Sequence, residues 1–265
     1  MPADPPTARQ LLDFYVEAGA DALVGEEAVD RFAEAPPPPR TAPAAAPKPP
    51  TAQRPMVAAP ALAPAAPDAA AMEAREAAKS AATLEDLRAI LDRFDGCALK
   101  ATASRLVFAD GNPQSRLMLV GEAPGRDEDI EGLPFVGRSG KLLDRMLAAI
   151  GLDRNSVYIA NVVPWRPPGN RTPTPQETQV CLPFIMRQIE LANPDILVCL
   201  GGPSAQTLLG QTGITKIRGR WFSFETGQRE IRAIPTFHPA FLLRSPLQKR
   251  FAWRDFLAIK KALSG

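Results

Sequence analysis

Residues 121–144, GEAPGRDEDIEGLPFVGRSGKLLD, set a group of acids and one aromatic ring directly behind an apolar run. The run is Leu117-Met118-Leu119-Val120 and stops at Gly121; Glu122 follows, then the turn pair Pro124-Gly125, then Asp127, Glu128 and Asp129. Pro134-Phe135-Val136-Gly137 then carries a ring on a tight turn. Acids and a ring after a strand end are how an open α/β sheet builds a site, because the carboxyl ends of its strands open onto a crevice. Two later positions repeat the pattern. Asn161 ends the run Val157–Ala160, and its amide sets a donor beside an acceptor, the equipment for reading an imide or amide edge such as a nucleobase. An asparagine in that place also suits a turn cap. His238, the single histidine, follows Ile231–Thr236 and precedes a turn-fixing proline in Phe237-His238-Pro239-Ala240. Between them, Arg166-Pro167-Pro168-Gly169-Asn170-Arg171 forms a rigid loop, and Arg166 and Arg171 suit phosphate contacts.

These positions need a sheet to bring them together. From residue 81 the apolar periodicity predicts a helix through Leu84, Leu87, Ile90 and Leu91, strands at Arg105–Phe108 and Leu117–Val120, and a helix over Lys141–Ile150. It continues with a strand at Val157–Ala160 and a helix over Gln176–Ala192 that starts or kinks near Pro183. A buried strand Asp195–Leu200, a helix from Ser204, strands Trp221–Phe224 and Ile231–Thr236, and a terminal helix Gln248–Leu263 complete the pattern. Strands alternating with helices imply βαβ units: a three-layer α/β/α sandwich around a central, mainly parallel sheet of four to five strands. Glu122, Asn161 and His238 then share one crevice although they are 39 and 77 residues apart.

Upstream the composition changes. Residues 36–67 hold 12 Pro and 11 Ala, which favours a semi-extended linker over a packed core. The expected organisation is a short N-terminal segment over 1–35 with a possible helix, a Pro/Ala-rich disordered linker over 36–80, and a catalytic domain over 81–265. The segment 7–33 either docks on the domain or a partner or is a marginal helix. The start lacks a signal-peptide pattern, no apolar run is long enough to span a membrane, and three cysteines form no even disulfide framework, so a cytoplasmic protein is expected. Net charge is only +2, but residues 210–265 carry 11 Lys/Arg against 3 Asp/Glu, which fits either a polyanion footprint or a solvated helix face. There is no zinc spacing and no phosphate-binding glycine loop.

Taken together the motifs resemble the uracil-DNA glycosylase superfamily, specifically its family 4. GEAPGRDED resembles that family's first active-site motif, and PFVG, the strand-end Asn161, RPPGNR and HPAFLLR follow in the family's order and spacing over residues 81–263. The resemblance implies a repair enzyme that flips uracil out of DNA, single- or double-stranded, and hydrolyses its N-glycosidic bond as a monomer. Phe135 would stack on the base, Asn161 would favour uracil over cytosine, and His238 would donate to uracil O2. Glu122 and Ala123 would line the pocket by the sugar and the water. Glu128 would bond to Asn170, and either Glu122 or Glu128 would orient the water. Arg166, Arg171 and Arg244 would contact DNA. Rival implications are a glycosylase for other deaminated bases, such as hypoxanthine or xanthine, and a catalytically weak nucleic-acid-binding module.

The chain also departs from the family. A typical member ligates a [4Fe–4S] cluster with four cysteines; here Cys97 and Cys181 match two positions, while Phe94 and Trp165 stand at the other two. A cubane needs four thiolates, so no cluster and no other cofactor is expected, with aromatic packing in its place. Ala123 stands where glycine is common, and HPA replaces HPS. The basic, His-bearing insertion of a covalently bonding relative is absent, so hydrolysis and release are expected.

Overall fold

The protein is described by a computed structural model covering residues 67–264. Four parallel strands form the centre of its sheet: β2 (Leu117–Gly121), β3 (Tyr158–Asn161), β4 (Ile196–Leu200) and β6 (Glu230–Thr236). Two antiparallel strands close the edges, β1 (Asp110–Gly111) on β3 and β5 (Phe222–Glu225) on β6, giving the order β1-β3-β2-β4-β6-β5. The sheet therefore has six strands where four to five were expected. The strand expected at Arg105–Phe108 is not one. Val107 N–H donates to Pro164 O at 2.9 Å, and the ladder begins only at Asp110. Val107 and Phe108 are buried, but burial alone does not supply a pairing edge.

β2 and β4, at the centre of the sheet, are apolar and buried along their whole length because both faces are covered. Met118 and Val120 of β2, with Leu197 and Cys199 of β4, pack into one core. Leu117 and Leu119, with Ile196, Val198 and Leu200, pack into the other. Helices α1 (Pro67–Ser80), α2 (Leu84–Arg93) and α5 (Pro175–Ala192) contribute to the first core. Helices α4 (Arg138–Ala149) and α9 (Lys249–Ser264) contribute to the second. The short helices α3 (Arg126–Glu131), α6 (Gly202–Leu209), α7 (Ile214–Ile217) and α8 (Pro239–Arg244) lie in the connections. α5 opens on a capping box between Thr174 and Glu177 and runs through Pro183. Among the described residues no helix is long and apolar enough to cross a membrane.

Residues 67–80, expected to belong to the linker, instead form α1, a regular helix that packs on α5. Ala70, Ala74 and Ala78 repeat every fourth residue and are 6%, 0% and 2% exposed. Alanine buries little area, but it is the best helix former, and a small-residue stripe lets two helices approach closely. Arg187 of α5 donates through Nε and a terminal nitrogen to Ala81 O, fixing the end of the α1 segment. The folded unit thus includes residues that their composition assigns to a linker. The remaining N-terminal expectations, for residues 1–66, lie outside the described residues.

Candidate active site

Each central strand delivers its last residues to one edge of the sheet. The register pairs Gly121 with Asn161 and Leu200 with Thr236, so the segments that follow β2, β3, β4 and β6 emerge side by side. Between them lies a cleft of about 700 Å³. It is lined by Glu122, Ala123, Glu128, Phe135, Asn161, Asn170, Arg171, His238 and Arg244, together with Gly201 and Gly202 after β4. All but one of the residues singled out for the site therefore meet in one cleft. The exception is Arg166, which donates to Asn170 Oδ1 at 2.7 Å and lies 3.9 Å from the buried Asp129.

Glu122 is held by its backbone. Val162 N–H donates to Gly121 O, and Val163 N–H donates to Glu122 O, extending the β2–β3 pairing past the strands. Its Oε1 is buried without a hydrogen-bond partner, and burial raises its pKa. Asn161, 4% exposed, likewise has a buried Oδ1 with no partner. Buried polar atoms are nearly always satisfied, so two orphans in one cleft mark groups reserved for a ligand or water.

Phe135 adopts φ +55°, a left-handed conformation that costs a bulky residue on the order of 1–2 kcal/mol. Two glycines make room for it. A Cβ on Gly121 would lie 2.6 Å from the ring tip and 2.4 Å from Asn161 Oδ1; one on Gly140 would lie 1.6 Å from Phe135 O. The ring sits 5.4 Å from the His238 ring, tilted by 31°.

His238 caps α8 with its own ring: Nδ1 accepts from Ala240 N–H at 3.1 Å. Burial lowers its pKa to about 4, helped by the Arg244 charge. The imidazole is therefore neutral at neutral pH, and an accepting Nδ1 leaves the proton on Nε2. Gly201, at φ +98°, admits this ring, since a Cβ there would meet His238 Cβ at 3.0 Å.

One expectation needs correction. Glu128 makes no hydrogen bond to Asn170. Its carboxylate accepts from Gly125, Val136 and Gly137 N–H at 3.1, 3.1 and 3.0 Å, closing the loop around α3. Asn170 instead accepts from Arg166. Arg171 forms a two-pronged ion pair with Glu177 at 2.6 and 2.8 Å while its side chain stays exposed at the cleft. Arg244 forms no ion pair among the described residues. Gly201-Gly202, which no site expectation included, follow an unbroken apolar strand just as Gly121-Glu122 do.

The region matching the family's cluster is different in kind. Cys181 Sγ donates to Cys97 Sγ at 3.8 Å, and both thiols are buried. This bond, with burial, pushes Cys181 well up, while it lowers Cys97. Phe94 and Trp165 are buried in the same core, and Phe94 meets Phe184 edge-on at 5.0 Å. The Phe94 ring also occupies the space over Gly96, where a Cβ would lie 2.4 Å from it. Two thiols and a packed aromatic volume do not fit a four-thiolate cubane.

Comparison with known proteins agrees with the motifs. The family model for the uracil DNA glycosylase superfamily matches residues 108–257. The type-4 uracil-DNA glycosylase of Archaeoglobus fulgidus is 42% identical over 168 residues, 62% of this chain and 84% of that protein. That of Thermotoga maritima is 42% identical over 169 residues, 62% of this chain and 86% of that protein. A DNA polymerase of Bacillus phage SP01 is 32% identical over 168 residues, which are 63% of this chain and 18% of the polymerase. With four strand ends converging on one cleft and the family model spanning the sheet that carries them, the chain belongs to the uracil-DNA glycosylase superfamily.

Proposed function

We propose that this protein is a uracil-DNA glycosylase: it takes uracil from DNA into the cleft and hydrolyses the N-glycosidic bond, leaving an abasic site. The observation that carries the reading is the meeting of two unpartnered buried oxygens, on Glu122 and Asn161, with a neutral His238 in one cleft. The type-4 relatives' names and the superfamily match support it.

The geometry suggests a division of labour. Phe135 supplies a face for the extruded base, and Asn161 reads its edge; uracil and cytosine differ there in their donor and acceptor pattern. As the bond from C1′ to the base lengthens, negative charge grows on the uracil and positive charge on the sugar. His238 Nε2–H is the donor for uracil O2, and a preorganised donor of that kind is worth about 3–4 kcal/mol. Glu122 supports the cationic sugar and aligns the water with its free oxygen. The water's hydroxyl stays on C1′, and its proton leaves with the base or to solvent. Glu128 shapes the cleft by fixing the loop, which leaves water orientation to Glu122. Arg244 is the cation at the cleft best placed for a phosphate. No iron–sulfur cluster takes part, because the residues at its place do not fit one.

The test is a single-stranded oligonucleotide carrying one uracil, with cytosine, hypoxanthine and xanthine controls, followed by alkaline cleavage of abasic sites. Strand scission at uracil is expected. Scission only at hypoxanthine or xanthine would move the substrate class, and none at any base would overturn the enzymatic reading.

A further inference from the structure

The Phe135 turn is not held by its own sequence. Its left-handed φ and its carbonyl, pressed against the first turn of α4 over Gly140, need an external restraint. Glu128 holds the two N–H groups that follow, and one residue outside the cleft holds the carbonyls. Arg154, just before β3, donates to Pro134 O at 3.0 Å and to Phe135 O. The same guanidinium is held from both sides. Asp144 Oδ1 on α4 accepts from Nε and a terminal nitrogen at 3.2 and 3.0 Å, and Asp110 Oδ2 on β1 accepts at 2.7 Å. Arg154 thus spends its planar fork on two consecutive loop carbonyls while two carboxylates fix the fork's plane.

We propose that Arg154 is a positioning residue for the reaction: it locks the Pro134–Phe135 turn so that the Phe135 ring presents one face to the incoming base. The proposal rests on the reading of the cleft as a base-excision site. It assigns the Asp110–Arg154–Asp144 group to substrate placement, although none of the three lines the cleft. A fork is needed, because a lysine ammonium cannot serve two carbonyls and two carboxylates in one plane.

The experiment is a double-mutant cycle with Phe135. Arg154→Met should lower the single-turnover excision rate about 10- to 100-fold, the size expected when a remote change misplaces a reacting group by an ångström or so. Arg154→Lys should not restore it. In a Phe135→Ala background the same Arg154→Met change should cost no more than about twofold, because the group it acts through is gone. Costs that multiply independently would overturn the proposal, since a purely structural ion pair loses activity whatever stands at 135. Asp144→Asn keeps the arginine and should give a smaller loss that Phe135→Ala also absorbs; it carries the cycle if Arg154→Met does not fold. Amide exchange gives a reading free of catalysis. Peptides covering 133–140 should exchange faster in Arg154→Met while those of α5 do not, and unchanged exchange over 133–140 would overturn the clamp. A wild-type protein inactive on uracil would count against the proposed substrate, leaving the exchange data to judge Arg154.

Discussion

The cleft and the thiol region are built to opposite rules. Around Cys97 and Cys181, buried groups find partners: the thiols bond each other, and Gln188 donates to Phe108 O and Tyr158 Oη. Phe94 and Trp165 fill the remaining volume. In the cleft, two buried oxygens have no partner, and Phe135 and Asn170 both sit at φ +55°. One region is arranged for packing, the other keeps polar atoms free for binding. Unsatisfied polar atoms and strained backbone persist only where the surroundings over-determine them, and both are concentrated at the cleft.

The contrast predicts that mutations in the two regions fail differently. Trp165→Ala should lower stability by about 3–5 kcal/mol, the range for deleting a buried aromatic side chain. Urea unfolding reads that loss, and the excision rate per folded molecule should be unchanged. A large catalytic defect in a well-folded Trp165→Ala protein would break the division.

His238→Ala should do the reverse. Its single-turnover rate should fall on the order of 10²–10³ with the melting temperature nearly kept, since one donor to the developing anion is removed. Asn161→Asp should also reduce uracil excision strongly. Wild-type rates in either variant would displace the assigned pocket.

The pH dependence of stability sharpens the same point. His238 has an ordinary pKa of 6.5 and a folded value of about 4, set first by burial. Above pH 6.5 it is neutral in both states, and its full contribution is present. As pH falls from 6.5 towards 4, the unfolded chain takes up a proton that the folded protein refuses, so stability drops by up to about 3 kcal/mol. Comparing unfolding at pH 7 and 4.5 should show a smaller drop in His238→Gln than in wild type. Glu122 acts in the opposite sense, because its pKa is raised by burial, and is unchanged in that comparison.

Within the cleft the two glutamates should separate. Glu122→Gln should act on the rate. Glu128→Gln should act mainly on stability, by about 1–3 kcal/mol, because one carboxylate oxygen among three N–H donors becomes a donor itself. The smallest effect is expected from Cys97→Ser: iron below one atom per chain before and after, and an unchanged excision rate. About four irons per wild-type chain would refute the cluster-free reading.

Glu122, Asn161 and His238 were legible because each follows a short run rich in apolar and β-branched residues and bounded by turn residues, which reads as a strand, and parallel strand ends converge by topology. The partners of Glu128, Arg166 and Arg171 were not legible. Each is a long side chain with several acceptors or donors within reach, and the choice depends on loop paths that residue types do not encode. α1 was hidden for another reason: alanine reads as linker in composition and as helix in propensity, and only the facing surface of α5 decides between them.

The amino-acid sequence by itself determined the alternation of strands and helices, the strand-end placement of the three chemical groups, and the shortage of thiolates for a cluster. These follow from local periodicity and from counting, and neither needs contacts. Only the tertiary structure decided which carboxylate is left unpaired, which carboxylate pairs with Arg171, and that Arg154 bonds the Phe135 carbonyl from outside the cleft. Those are competitions among distant groups for the same hydrogen bonds, and they are resolved only when the packed backbone fixes which groups come within reach of one another.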